Sequence, residues 1–417
     1  MKFSHLAESM QGSEIVKLGN AINVRKAQGE KIFNFTIGDF DPSIFPIPTE
    51  LEKLILEKYQ AHFTNYPPGD GVLELRKSVS QFLATREGLD YNTNEIMIAS
   101  GGRPIIFTVF ESLVDKGDKV IYAAPSWNNN HYCNITGAEH CLIETFPEDD
   151  FMPKAEAIRP FIQEARLICL CTPQNPTGTT LPESELKAIC EMVLEENARR
   201  AEDEKKLFVL FDQMYWTLTF GKTKHLTPIH IDPKMKEYTV FVDGISKSFA
   251  STGVRVGWSC GPEVLISKMK SLLTHIGAWA PMAEQQAVAE YLKNDSAIDT
   301  WFASFKSAIE DRLNALAKGF QDLKAKGYNV DAVDPQAAIY LTVKLDLVGK
   351  SFDGKILATQ EDVTNYILDQ AKLAIVPFSA FGSDANSPWY RISVGTCKMD
   401  ELDTMFDLLE KALSQLQ

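Results

Sequence analysis

The chain holds seven cysteines among its 417 residues, yet no two stand at the C-x-x-C spacing of redox or zinc motifs. An odd set without that spacing argues against a disulfide framework and gives no metal-binding pattern. Cys169 and Cys171 alternate in the apolar run LICLC and read as reduced, buried small hydrophobes. Basic residues are not in excess either: 42 Lys and Arg face 56 Asp and Glu, a net charge of −14. Phosphate backbones recruit the opposite balance, so nucleic acid is excluded as the main partner. No apolar run is long enough to span a membrane, and the amino-terminal MKFSHLAESMQGSE has no apolar core of a signal peptide, which makes the cytoplasm the expected location. Low-complexity segments and internal repeats are missing. So is any G-x-G-x-x-G after a strand, which removes a dinucleotide-dependent oxidoreductase from the alternatives.

What remains is an ordinary globular composition, 45% hydrophobic and 24% charged, in a chain long enough for two cores. From about residue 50, helical segments alternate with short β-rich runs: EIMIAS, DKVIYAAP, ARLICLCTP, KLFVLFD and YTVFVDGIS. Several are almost continuously apolar, as strands buried on both faces must be, and the alternation predicts a mostly parallel sheet covered by helices. After residue 258 the texture changes to long amphipathic helices, AEQQAVAEYLKN and Trp301–Lys326, followed by the strand candidates AAIYLTVKL, LAIVPFS and YRISVG and a terminal helix around MDELDTMFDLLEKAL. The expected organisation is a large α/β domain over 49–295 and a smaller α+β domain over 296–417, to which the segment 1–48 contributes.

Open α/β sheets bind ligands beyond the carboxyl ends of their strands. The residues found there form a consistent set: Ser100-Gly101-Gly102-Arg103, Pro125-Ser126-Trp127, Asn175-Pro176-Thr177-Gly178, Asp212 with Tyr215, and Lys247 with Arg255 in SKSFASTGVRVG. Each alone has a plain structural reading as a turn, a cap or a core aromatic. Together they describe a receptor for a phosphorylated, electron-withdrawing heteroaromatic ring. Glycine N–H groups opening a helix suit a phosphate, and Arg255 adds a two-pronged donor. Trp127 can lie flat on the ring, Asp212 can keep a pyridine nitrogen protonated, Asn175 and Tyr215 can hydrogen-bond a phenolic oxygen, and Lys247 can form a Schiff base.

On these motifs the chain resembles the pyridoxal-phosphate-dependent aminotransferases of class I/II over nearly its whole length. The resemblance implies the three-layer fold type I and the cofactor pyridoxal 5'-phosphate. It implies transfer of an amino group between an L-amino acid and a 2-oxo acid by a ping-pong scheme, with Lys247 as the cofactor-binding and proton-shuttling lysine. SKSFASTGVRVG matches the signature around that lysine, with Ser246 beside it. NYPPGDGVLELR resembles a stretch whose tyrosine reaches the cofactor phosphate of a neighbouring subunit, so Tyr66 implies a homodimer with shared sites. FTIGDFDP resembles the amino-terminal substrate segment, where Gly38 lets backbone approach the substrate. WYRISVG places Arg391 as the partner of the substrate α-carboxylate.

Two positions depart from the family pattern. Gly244 stands where a serine or threonine often binds the phosphate, and Asn130, with His131 one residue later, stands where some relatives have a histidine that supports the pyridine-binding aspartate. The donor is read from Arg103, which occupies the place of a lysine that recognises a distal carboxylate in one subgroup. That favours aspartate or glutamate. HIGAWAPM, where another subgroup supplies a distal-carboxylate arginine, has none, and its Trp279 suits an aromatic donor as the alternative. A β-lyase on the same fold is the other alternative, because the cofactor site alone does not choose which bond breaks.

Overall fold

The computed structural model describes residues 2–417 apart from 11 and 13. A seven-stranded sheet runs through the larger half, in the order Ile96–Ala99, Gly257–Cys260, Thr239–Gly244, Phe208–Asp212, Ala165–Cys171, Lys119–Ala124 and Glu139–Glu144. Every neighbouring pair is parallel except the two made by Gly257–Cys260, which runs against both of its neighbours. The five strands expected from apolar runs are all present. The sheet gains Glu139–Glu144, an edge strand with alternating burial, and the four-residue Gly257–Cys260. The first alternates buried Cys141 and Ile143 with exposed His140, Leu142 and Glu144, and the second opens with glycine, so neither carries the apolar density by which the central strands announce themselves.

Helices cover both faces and generate two cores, one gathering Leu75, Phe82, Ile189, Phe211 and Trp258, the other Ile105, Val109, Phe110 and Met269. A separate cluster is built around the 31-residue helix Asp295–Ala325, whose Ile309, Leu313, Leu316 and Phe320 are all fully buried. Apolar positions three and four residues apart give that helix its buried stripe, and Asn294 caps it by accepting the Ala297 N–H. The stripe packs on an antiparallel sheet ordered Val376–Pro377, Trp389–Ser393, Tyr340–Leu345, Val330–Ala332. Phe35, Phe40 and Phe45 of the amino-terminal segment join the same cluster, and Phe33–Asn34 pairs in parallel with Leu373–Ala374. The chain therefore returns its first fifty residues to the company of its last hundred, and the loops of both sheets face one another across a cleft. No helix among the described residues is long and apolar enough to cross a membrane.

Candidate active site

The cleft holds a cavity of about 430 Å³ at the carboxyl ends of the large sheet. Lys247 lies on the short helix Ile245–Ser248, which follows directly on the strand Thr239–Gly244, so its position is fixed by a strand end. Its Nζ donates to the Gly38 carbonyl at 2.5 Å, and burial lowers its pKa to about 8, opposed by the nearby Asp39 carboxylate. Asp212 ends the adjacent strand. Its carboxylate accepts only the Met214 N–H, at 3.1 Å, and burial raises its pKa to about 6. Among the described residues no cation pairs with this acid, and its charged form is costly until one arrives.

One end of the cavity is built from the helix Gly102–Leu113, whose first N–H groups have no helical acceptor. Gly101 itself does not line the cavity: its N–H bonds the Ala99 carbonyl at 2.7 Å, and a Cβ there would overlap the Arg255 guanidinium. Arg255 adopts a left-handed backbone (φ 63°) and donates to the Ser100 and Thr252 carbonyls, both at 2.7 Å. Thr252 in turn donates to Asp39 at 2.5 Å. Ser246 lines the cavity between Lys247 and this end.

Across the cleft, Arg391 is fully buried on the strand Trp389–Ser393. It donates to the Asn175 side-chain oxygen at 3.0 Å and to the Thr36 carbonyl at 2.5 Å, while its Nε has no partner. Burial lowers its pKa from the usual guanidinium value. Arg103 leans over the Trp127 ring, 5.1 Å from its centroid. Tyr215 closes the floor, its hydroxyl 2.6 Å from that of Tyr340.

Gly38, Gly102, Arg103, Trp127, Asn175, Asp212, Tyr215, Ser246, Lys247, Arg255 and Arg391 thus share one cavity. Tyr66 does not. It is 82% exposed, with its ring edge-on to Trp279 at 5.4 Å. His131 lines a separate hollow with Asn130 and Ser126. Gly244 has a steric cause: a Cβ would sit 2.7 Å from the Gly257 Cα and 2.8 Å from the Val256 carbonyl oxygen, so no serine fits there. Sequence reasoning passed over Asp39, Thr252 and Tyr340. Asp39 adjoins the quoted Gly38, but Tyr340 looks like any other strand residue in AAIYLTVKL.

A buried, unneutralised carboxyl faces an amine of lowered pKa, with free helix N–H groups and an arginine at one end and an orphaned guanidinium nitrogen at the other. These groups fit pyridoxal phosphate: a ring nitrogen for Asp212, an aldehyde carbon for Lys247, a phosphate for Arg255 and the helix. Fold and donor set together define a pyridoxal-phosphate-dependent enzyme of fold type I. The chain belongs to the family described as aminotransferase class I and II, whose model matches residues 30–409. It is 26% identical to the aspartate aminotransferase of Bacillus subtilis (strain 168), covering 100% of this chain and 98% of that one. It is 27% identical to a probable aspartate/prephenate aminotransferase of Rhizobium leguminosarum bv. phaseoli, over 94% of this chain and 92% of that one. The crystal structure of the aspartate aminotransferase from Rhizobium meliloti superposes with a TM-score of 0.90 at 26% identity, covering 100% of each chain.

The electrostatics of Asp212 give a pH-dependent expectation for the cofactor-free protein. Its folded pKa of about 6 lies above the ordinary aspartate value of 3.8, so the folded state holds the extra proton between these values and stability falls as pH rises through them. The penalty is complete above about pH 6 and absent below the unfolded pKa. Asp212→Asn should therefore stabilise the cofactor-free protein at pH 8 by up to about 3 kcal/mol, with the gain shrinking toward zero near pH 4. Urea unfolding at the two pH values measures this, and an equal gain at both contradicts it.

Proposed function

We propose that this aminotransferase uses an acidic donor, aspartate or glutamate, and that the observation carrying this reading is Arg103. Its guanidinium borders the cavity, makes no hydrogen bond or ion pair among the described residues, and is held in place by the Trp127 ring. Arginine pairs a carboxylate through two charge-assisted hydrogen bonds, so a free one beside an amino-acid site suits a side-chain carboxylate. The names of the relatives point the same way. An aromatic donor is the second reading, favoured by Ile15, Ile37 and Ile106 in the cavity wall.

In this reading Arg391, oriented by Asn175, binds the α-carboxylate, and its unpartnered Nε supplies a donor already stripped of water. Pyridoxal phosphate, when bound, supplies the electron-withdrawing ring that weakens the bonds at the substrate Cα. Asp212 would keep the ring nitrogen protonated, Tyr215 and Asn175 would bond the ring oxygen, and the phosphate would be held by the backbone N–H groups of Gly102 and Arg103 together with Ser246 and Arg255, with Gly101 making room for Arg255. Lys247 Nζ, once free, would take up the substrate Cα proton and give it back as a general acid. A pKa near 8 lets it serve in both directions close to neutrality. Gly38 offers its carbonyl to the same Nζ.

We further propose two domains, 49–295 and 296–417, with 1–48 completing the second. The support is that Phe35, Phe40 and Phe45 pack with Phe305–Leu413, while most of the buried apolar residues from Leu51 to Leu292 form other cores; Tyr215, Leu218, Phe220 and Ala250 join the smaller domain's cluster and Ile298 the larger domain's. A reducing, cytoplasmic setting suits seven free thiols, six of them buried. A homodimer suits Tyr66, an exposed tyrosine outside the cavity of its own chain.

Replacing Arg103 by Met should raise KM for aspartate at least about tenfold, as loss of a charge-assisted pair costs roughly 1.5–3 kcal/mol, and should leave phenylalanine turnover nearly unchanged. Steady-state kinetics with both donors is the check. Equal losses would assign Arg103 to the cofactor instead. The shared site is tested by pairing a Tyr66→Phe chain with a Lys247→Ala chain. If Tyr66 serves the neighbouring site, the hybrid's one lysine-bearing site receives an intact tyrosine and regains wild-type kcat/KM. A hybrid that keeps the lowered kcat/KM of the Tyr66→Phe homodimer contradicts the proposal.

A further inference from the structure

Tyr340 is buried at the cavity wall, and its hydroxyl makes a single hydrogen bond, to Tyr215. Its place is tightly set. Tyr340 opens the strand Tyr340–Leu345 opposite Ser393, and the preceding residues are tied to the large sheet's loops: Ala337 N–H bonds the Gly178 carbonyl at 2.9 Å and Ala338 N–H the Leu218 carbonyl at 2.7 Å. Gly178 has no room for a Cβ because the Tyr340 carbonyl oxygen occupies that space. At the other end of the side chain, a Cβ on Gly38 would lie 2.6 Å from the hydroxyl, so Gly38 closes that side too. The Arg391 guanidinium lies 4.7 Å from the Tyr340 ring centroid.

Two hydroxyls 2.6 Å apart share one bridging proton, and the direction of that bond matters. If Tyr215 gave its proton to Tyr340, it would turn lone pairs toward the cavity, where a ring oxygen carrying negative charge belongs. Two acceptors facing each other without water is the costly arrangement. With the bond reversed, Tyr340 donates to Tyr215 and Tyr215 donates onward, and each bond in such a chain strengthens the next. Burial raises the Tyr340 pKa, and the Arg391 cation works against that rise for Tyr340 and Tyr215 alike, so the direction of the bond is set by the geometry of the chain.

We propose that Tyr340 is a positioning residue that holds the Tyr215 hydroxyl as a donor toward the cofactor's ring oxygen, a role that rests on Tyr215 facing that oxygen as proposed above. A weaker Tyr215 donor leaves more negative charge on the ring oxygen. The proton on the lysine-linked nitrogen beside it is then held more tightly, and its pKa rises.

The test is a pH titration of the visible absorbance of the holoenzyme, in which the chromophore reports the proton on the Lys247-linked nitrogen, with cofactor content and thermal unfolding measured alongside. Tyr340→Phe should lower the acid dissociation constant by about threefold, a fraction of one hydrogen bond, and Tyr215→Phe should lower it further. The double variant should match Tyr215→Phe alone, because Tyr340 acts only through that hydroxyl. A fluorinated tyrosine at position 340 keeps the shape and acidifies the hydroxyl, so it should move the constant the other way, and it serves if Tyr340→Phe fails to fold. If Tyr215→Phe has no effect, the placement of Tyr215 against the ring oxygen is wrong. If Tyr215→Phe shifts the titration while either Tyr340 variant does not, or the two single effects add, the role of Tyr340 is overturned and the rest of the site stands.

Discussion

Arg391 carries its charge at 1% exposure, held by an amide oxygen and a carbonyl and by no carboxylate within ion-pair distance among the described residues. Burying a guanidinium on those terms costs several kcal/mol, and the rest of the site is arranged around that cost. Arg255 also donates to carbonyls and Lys247 to the Gly38 carbonyl, and the two share the nearby Asp39 carboxylate, so the cations of this cavity are held largely by dipoles. At the floor Asp212 presents the opposite case, a buried carboxyl without a cation. Charges kept apart in this way are satisfied only by a ligand with anionic ends and a cationic ring nitrogen between them, and donors fixed in advance lose nothing to reorganisation when it binds.

The fold makes this affordable by drawing the two sheets together at several points, among them three hydrogen bonds between residues of the cavity. Lys247, on the large sheet, bonds Gly38 of the amino-terminal segment; Asn175 bonds Arg391; Tyr215 bonds Tyr340. Each bond joins a strand end or loop of the large sheet to the smaller one or to the segment that packs with it. The helix Asp295–Ala325 holds the second sheet in register through its buried stripe and, by Trp301 donating to the Ser248 carbonyl at 2.9 Å, touches the lysine-bearing turn as well. Packing and site geometry are therefore mechanically one system: a shift of the smaller sheet moves Arg391 and Tyr340 relative to Lys247.

Much of this was legible in the sequence because strands buried on both faces are apolar runs and their carboxyl ends are where the chain changes chemistry. Lys247, Asp212 and Asn175 could be picked out that way, whereas Arg391, inside the strand Trp389–Ser393, was legible only through the resemblance of WYRISVG to the family's substrate-binding segment. The missing parts are those whose meaning is set by a distant partner. Tyr340 is an ordinary strand aromatic until Tyr215, 125 positions earlier, lies against it. Asp39 gains its place from Thr252, and Gly244 is explained only by Gly257 on the neighbouring strand. The strand Glu139–Glu144 escaped notice because it is short of apolar residues: only Cys141 and Ile143 are buried, and its ends are glutamates.

The central claim is that Lys247 carries the cofactor covalently, and it can be tested without turnover. The holoenzyme is reduced with borohydride, which fixes a lysine-linked pyridoxyl group in place, then digested and mapped by mass spectrometry. The account predicts the modification on the peptide spanning SKSFASTGVRVG, at Lys247, with Lys247→Ala leaving that label absent. A pyridoxyl group on any other lysine of the wild-type chain would contradict it.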